Sequence, residues 1–433
     1  MGRFAEFKNK RVLIMGLGLH GGGVGAARFF AQAGAQVTAT DLRSASELAP
    51  SLKALEGLPV RYVLGRHREE DVLHTDLVIQ NPGVPANSPY LRVARRAGIA
   101  IDTDVGVFAR LCPAPTIGIT GTKGKSTTAT LIAQCLKRHF KSVVLAGNIR
   151  TSVLSVLGAI SPATKVVLEL SSWQLEGLAK IRFSPHMAVI TNIFPEHLNR
   201  YRSFDAYARA KGLIAKHQTR QDHLFIPHGN PLIRKVTAGT KARVHVWSRR
   251  DALPDDLRVR GEHNYENMRA AQAVARFIGV SKADVGRVFK SFRGLEGRCE
   301  VVRRLGGITY INDTTATMPE AAIAAIEAMP RPPIVIAGGA DKNLDYSGLA
   351  RAIERRAKAV VLIRGSATDK LKPELGGRPP EVGSMAQAVR LARKQARPGD
   401  TVLLSPGAAS FGLFLHEFDR GQKFVEAVSK LKR

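Results

Sequence analysis

The segment that most constrains this chain is Thr116-Ile-Gly-Ile-Thr-Gly-Thr-Lys-Gly-Lys-Ser-Thr127. Residues 116–120 read as a buried strand, Gly121-Thr122-Lys123-Gly124 as a glycine-rich turn, and the residues after Lys125 as a helix. A strand, glycine turn and helix in that order point backbone N–H groups at phosphate oxygens, place an ammonium on the terminal phosphates and offer a hydroxyl to Mg2+. The spacing from Gly118 to Gly124 is one residue longer than in the general triphosphate loop, so the match rests on Gly121-x-x-Gly124-Lys125-Ser126. Ser126 and Thr127 supply the hydroxyls.

A second glycine turn stands near the N-terminus. Gly16-x-Gly18-x-x-Gly21 follows an apolar strand at 12–15, a helix is expected over 26–33, and a strand at 36–40 delivers Asp41. That pattern suits a nucleotide diphosphate at a helix start, with the carboxylate on a ribose or base. Taken alone it would favour an NAD-dependent oxidoreductase, which leaves the 116–127 loop unexplained. Strands at 309–311, 334–337, 360–363 and 401–404 form a third block. The repeated strand and helix units indicate an α/β protein with mostly parallel sheets. With 433 residues, three domains are expected: a Rossmann-like one over 1–102, a central P-loop ATPase-like α/β one over 103–295, and a Rossmann-like C-terminal one over 296–433.

Three scattered cysteines, Cys112, Cys135 and Cys299, exclude a disulfide framework or a cysteine zinc site and imply a reducing compartment. The N-terminus shows no export signal, and no apolar run reaches the roughly 18 residues a membrane helix requires. A cytoplasmic protein without membrane insertion is expected. The formal charge is +29, yet the basic residues are dispersed and no arginine-rich arm or basic-aromatic stretch occurs. This favours anionic small substrates over nucleic acid.

At the 121–127 loop the chain resembles the Mur ligase family, whose loop reads G-T-x-G-K-S/T-T. Further matches follow in order: Gly147-Asn148-Ile149, Leu168-Glu169-Leu170-Ser171-Ser172, Thr191-Asn192-Ile193 leading to His197, His263-Asn264-x-x-Asn267, and Gly294-Leu295-x-x-Arg298-x-Glu300. The last third adds Asn312-Asp313, Ala316-Thr317, Gly338-Gly339-x-Asp341-Lys342, Leu404-Ser405-Pro406 and Ala409-Ser410-Phe411. The Gly-Leu-Gly start and the Leu-Glu-Leu-Ser-Ser-x-Gln-Leu-Glu run look most like the branch that adds D-glutamate to UDP-N-acetylmuramoyl-L-alanine in peptidoglycan synthesis.

The resemblance implies an ATP-dependent acid–amino-acid ligase working through an acyl phosphate, as a monomer. It implies that Lys125, Glu169, His197 and Lys211 are catalytic, with Lys211 carbamylated and two Mg2+ ions held by Ser126, Glu169, His197 and the modified Lys211. ATP would meet Gly121 to Thr127, Asn264, Asn267, Arg298 and Asp313. The uridine substrate would meet Gly18, Leu19, His20, Asp41, Arg43, Asn81, Gly83, Asn148, Ser171 and His197. The amino acid would meet Thr317, Lys342, Ser410 and Phe418. The chain departs from the family pattern at Gly297, Thr315, Met318 and Gly412, near the incoming amino acid and the hinge, and at His20 and Glu196 with polar chemistry kept. A Mur-type ligase adding L-glutamate or another amino acid is therefore the alternative. Folate polyglutamate ligases share the central loop but should lack the turn from Gly16 to Asp41.

Overall fold

A computed structural model describes residues 4–19, 21–149, 151–196, 200–259, 261–341 and 344–432. The chain forms two compact units, Met1–Ser291 and Phe292–Arg433.

The first unit holds two parallel sheets. β1 (Arg11–Met15), β2 (Gln36–Asp41), β3 (Val60–Leu64), β4 (Leu77–Gln80) and β5 (Ala100–Asp102) align in the order β3-β2-β1-β4-β5. β1 lies between β2 and β4, so the chain reverses its direction of progress there and opens a crevice at the carboxyl end of β1, where the first glycine turn sits. The second sheet contains β6 (Thr116–Thr120), β7 (Val143–Gly147), β8 (Lys165–Glu169), β9 (Met187–Ile190), β10 (His223–Pro227) and β11 (Arg243–Trp247), ordered β11-β10-β9-β6-β8-β7. β6 is flanked by β8 and β9, which puts the second glycine turn at the corresponding crevice of this sheet.

One continuous core joins the two sheets. Phe29 and Phe30, on the helix Gly22–Gln32, belong to the same buried cluster as Val153, Leu154 and Leu157. That helix begins at Gly22 rather than in the expected 26–33 stretch, and the reason is packing. A β-carbon on Gly25 would stand 2.3 Å from the Ser152 side chain, so glycine here admits a neighbouring element instead of breaking the helix.

The second unit is built on β12 (Glu300–Leu305), β13 (Ile308–Asn312), β14 (Ile334–Gly338), β15 (Ala359–Ile363), β16 (Glu381–Val382) and β17 (Thr401–Leu404), ordered β12-β13-β17-β14-β15-β16. β12 pairs antiparallel with β13 and the remaining pairs are parallel. β14 is buried along its whole length and β17 at all but its first residue, and Val/Ile/Leu runs such as Ile334–Gly338 suit a sheet covered on both faces.

Candidate active site

β6 delivers the chain into Gly121, and Gly124, in the left-handed region at φ +81°, caps the helix Lys125–Lys137. A β-carbon on Gly124 would lie 2.0 Å from Asn267 Oδ1. The loop is held from the adjacent strand end: Lys123 N donates to Asn192 Oδ1 at 2.8 Å, Asn192 Nδ2 donates to Lys123 O at 3.0 Å, and Thr191 Oγ1 donates to Lys123 O at 2.7 Å. Thr191 and Asn192 carried no assigned role in the sequence. Their function as a clamp follows from β9 lying beside β6, and that strand order is not readable from spacing.

Lys125 Nζ turns back onto the loop, donating to the carbonyls of Gly121 at 3.0 Å and Thr122 at 2.9 Å. Lys211, on the helix Phe204–Gly212, donates to the same Gly121 carbonyl at 2.7 Å. It is 2% exposed, and burial, reinforced by the Lys125 charge, pushes its ammonium down to about 6. Its Nζ stands 4.7 Å from the centroid of the Tyr207 ring. Glu196 pairs with Lys123 at 2.7 Å and accepts from the Tyr207 hydroxyl at 3.3 Å, closing the pocket on that side.

Glu169 ends β8 next to β6 and is 1% exposed. Its Oε1 accepts from Asn148 Nδ2 at 3.0 Å, while Oε2 is buried with no hydrogen-bond partner among the described residues. A buried carboxylate oxygen left over in this way, with the buried Ser126 on the first turn of the helix Lys125–Lys137, suits a hard divalent cation. Among the described residues no three His, Cys, Asp or Glu side chains cluster as a ready-made metal site, so further ligands would come from phosphate oxygens, a modified Lys211 or residues outside the described ones, such as His197.

Asn267 is buried on the helix Glu262–Phe277 and accepts from Thr128 Oγ1 at 3.3 Å, whereas Asn264 contacts His263 at 3.0 Å. Ser171 caps the helix Ser172–Lys180 in a capping box with Gln174. In the N-terminal turn, Asp41 accepts from Gly18 N at 2.9 Å and from Arg43 N at 3.0 Å. Gly83 N donates to Asn81 Oδ1 at 3.1 Å beside the same crevice. Leu19 is half-buried. His20, His197 and Lys342 lie outside the described residues.

In the second unit, Asp313 follows β13 and is buried. It accepts from Ser405 Oγ at 2.7 Å and from Cys299 N at 3.1 Å, and burial pushes its carboxyl up to about 6. Arg298 adds a nearby positive charge. Arg420 is fully buried and donates to Thr314 Oγ1 at 3.1 Å, Thr314 O at 2.8 Å and the carbonyls of Ala408 at 3.0 Å and Ala409 at 3.2 Å. It thereby ties the loop carrying Thr317 and the loop carrying Ser410 to the helix Glu417–Ser429, which carries Phe418. Arg420-Gly421 matches the family pattern in the sequence, but without a role; an arginine in an exposed-looking helix start gives no sign of burial.

These features define a phosphate-loop α/β protein with a buried carboxylate and a buried amine beside the loop. Residues 119–253 match the Mur ligase middle domain, residues 297–407 the Mur ligase glutamate ligase domain, and residues 10–103 the N-terminal domain of MurD-like Mur ligases. The UDP-N-acetylmuramoylalanine--D-glutamate ligase of Roseiflexus sp. (strain RS-1) is 45% identical over 463 residues, covering 98% of this chain and 99% of that protein. The protein of the same name from Trichlorobacter lovleyi is 34% identical, covering 98% and 100%. Among solved structures, the UDP-N-acetylmuramate-alanine ligase MurC from Thermotoga maritima shares the fold at a TM-score of 0.65 and 20% identity, covering 98% and 100%. The chain belongs to the Mur ligase family.

Proposed function

We propose that this chain is the ligase that joins D-glutamate to UDP-N-acetylmuramoyl-L-alanine at the expense of ATP, in cytoplasmic peptidoglycan precursor synthesis. The observation that carries this reading is the 45% identity, over essentially both whole lengths, to the Roseiflexus D-glutamate ligase. Residues 1–102, 103–295 and 296–433 would receive the uridine nucleotide, the triphosphate and the amino acid, in a monomer. Among the described residues no helix is long and apolar enough to cross a membrane.

In the reaction, a substrate carboxylate oxygen forms a bond to the γ-phosphorus as the bond to the β,γ-bridging oxygen breaks, and ADP leaves. The amino nitrogen then bonds to the acyl carbon, loses a proton, and phosphate departs as the amide forms. Both partners of the first step are anions, so cations must bring them together. Lys125, already beside the loop, would leave the Gly121 and Thr122 carbonyls for phosphate oxygens, while loop N–H groups from Gly121 to Thr127 other than those of Thr122 and Lys123, which bond to Asn192, would hold the remaining oxygens. Two Mg2+ ions, when bound, would screen the repulsion and polarise the phosphate. Ser126, Glu169, His197 and Lys211 would hold them.

Lys211 would do so as a carbamate. Its buried amine is largely neutral at neutral pH, which is the form that captures CO2, and the product is an anionic oxygen ligand. Asp41, Arg43, Asn81, Gly83, Gly18, Leu19 and His20 would take the uridine diphosphate end, and Asn148, Ser171 and His197 the acyl arm. Asn264, Asn267, Arg298 and Asp313 would take the nucleoside of ATP. Thr317, Lys342, Ser410 and Phe418 would take glutamate, with Lys342 on a carboxylate.

A second reading, a Mur-type ligase for another amino acid such as L-glutamate, draws on the departures in the second unit. Thr315 ties its hydroxyl to Gly297 O at 2.9 Å, and Met318 begins the helix Pro319–Glu327 without a side-chain cap. A panel of amino acids with UDP-N-acetylmuramoyl-L-alanine, ATP and Mg2+, scored by phosphate release, separates the two. Release with D-glutamate supports the first reading. Release only with L-glutamate or a diamino acid overturns it.

A further inference from the structure

The buried acid Asp104 has no part in the assignments above, yet it faces the N-terminal glycine turn. It begins the helix Asp104–Leu111, whose capping is already done by Thr103, the side chain of which accepts from Gly106 N. Asp104 Oδ1 accepts from the next backbone amide, Val105 N, at 2.8 Å. The other oxygen, Oδ2, lies 3.9 Å from the point where a β-carbon on Gly22 would sit, and Asn81 Nδ2 lies 3.7 Å from that same point. Two polar side chains from separate elements thus converge on the first residue of the helix Gly22–Gln32, in the space that glycine leaves open.

No cation answers this carboxylate among the described residues. The charged group acting on it is Asp102, of like sign, and Arg110 on the same helix is paired with Asp102. Three helices pack on Asp104–Leu111. The short helix Val153–Val156 carries no charge. On the other two, Arg28 donates to Ala54 O, Glu176 stands 3.7 Å from Arg200, and Lys180 ends its own helix. A diphosphate lodged at this helix start would meet a desolvated carboxylate beside it. Two anions in one site do not both remain charged, whereas a carboxylic acid donates to a phosphate oxygen.

We infer that Asp104 is a binding residue for the diphosphate of the nucleotide sugar, holding a phosphate oxygen as the protonated acid, so that substrate capture takes up one proton. This rests on the reading that the turn from Gly16 to Gly21 receives the uridine diphosphate. Burial supports it, since the free carboxyl is already pushed up to about 6 and an adjacent diphosphate raises it further. Above the free-protein value, affinity then falls with rising pH, by at most about tenfold per unit, until the complex itself loses the proton.

The test is calorimetric titration of the full chain with UDP-N-acetylmuramoyl-L-alanine, whose esterified diphosphate has no ionisation in this range. Two buffers of different ionisation enthalpy are used from pH 6 to 8.5. The wild type is expected to take up close to one proton near pH 7.5. Asp104→Asn should bind without that uptake and with a flat pH profile. His20→Asn, which removes the other titratable side chain of the turn, should retain it. Uptake unchanged in Asp104→Asn, or absent in the wild type, overturns the inference, and absence in the wild type does so even if the variant does not fold. Absence of binding at every pH would instead sink the reading of the turn itself, and the inference with it.

Discussion

Lys211 and Gly121 stand ninety positions apart, yet the Lys211 ammonium nitrogen donates to the Gly121 carbonyl at 2.7 Å. That carbonyl also receives Lys125 Nζ at 3.0 Å. Two cationic side chains share one acceptor at the mouth of the phosphate loop, and one of them is buried. The consequence is an amine that gives up its proton near neutrality and, under the proposed function, a loop carbonyl that would change partners when triphosphate arrives.

Lys211→Met should abolish ligation while leaving the protein folded and, in CO2-free buffer near pH 7, at least as stable as the wild type. The unfolded chain protonates this lysine at the ordinary value near 10.5, the folded chain only near 6. The unfolded state therefore binds more protons between those values, and wild-type stability rises with pH across that window. Thermal melts at pH 6.5 and 9 should show this contribution to the slope in the wild type and its loss in the variant. Ligation by the wild type should also fall in CO2-depleted buffer and return with bicarbonate.

Glu169→Gln removes the charge from the buried Oε2 that lacks a partner among the described residues while keeping an oxygen for Asn148. Metal-dependent turnover should drop by about 100-fold or more, and the Mg2+ enhancement of ATP binding should disappear. ATP binding without Mg2+ should persist. Titrations with and without the cation provide the check.

Gly124→Ala combines two penalties, a left-handed backbone at φ +81° and a β-carbon 2.0 Å from Asn267 Oδ1. A loss of about 1–3 kcal/mol in unfolding free energy is expected, together with weakened ATP binding. Asn267→Ala in the same background should recover part of the stability, because it removes the atom struck.

Ser405→Ala deletes the 2.7 Å donor that favours the charged form of Asp313. The Asp313 carboxyl should move above its present value of about 6, so the acid limb of the ATP-dependent rate should shift to higher pH. KM for ATP should rise more than kcat falls, and Ser405→Thr should restore much of the profile.

Much of this is legible in the sequence. The loop from Gly121 to Thr127 announces itself because a strand, a glycine turn and a lysine stand consecutively, so local chemistry suffices. The Asn192 clamp was not legible, since it depends on β9 lying beside β6. The first helix starts at Gly22, ahead of the expected Ala26, for a related reason: Gly22, Gly23 and Gly25 resemble a flexible turn in one dimension, whereas Gly25 is small because Ser152 lies against it. Burial of Asp104 and Arg420 likewise arises from elements distant in the chain, where side-chain type alone argues for exposure; a lowered Lys211 pKa is expected from the family resemblance, because only a neutral amine captures CO2.

The claim on which the account turns is that a substrate carboxylate takes the γ-phosphoryl group. Substrate labelled with 18O in the alanyl carboxylate, turned over with ATP and D-glutamate, tests it by mass analysis of the released phosphate. One 18O atom carried into phosphate per turnover is predicted. Phosphate released without label, alongside amide product, would contradict the account.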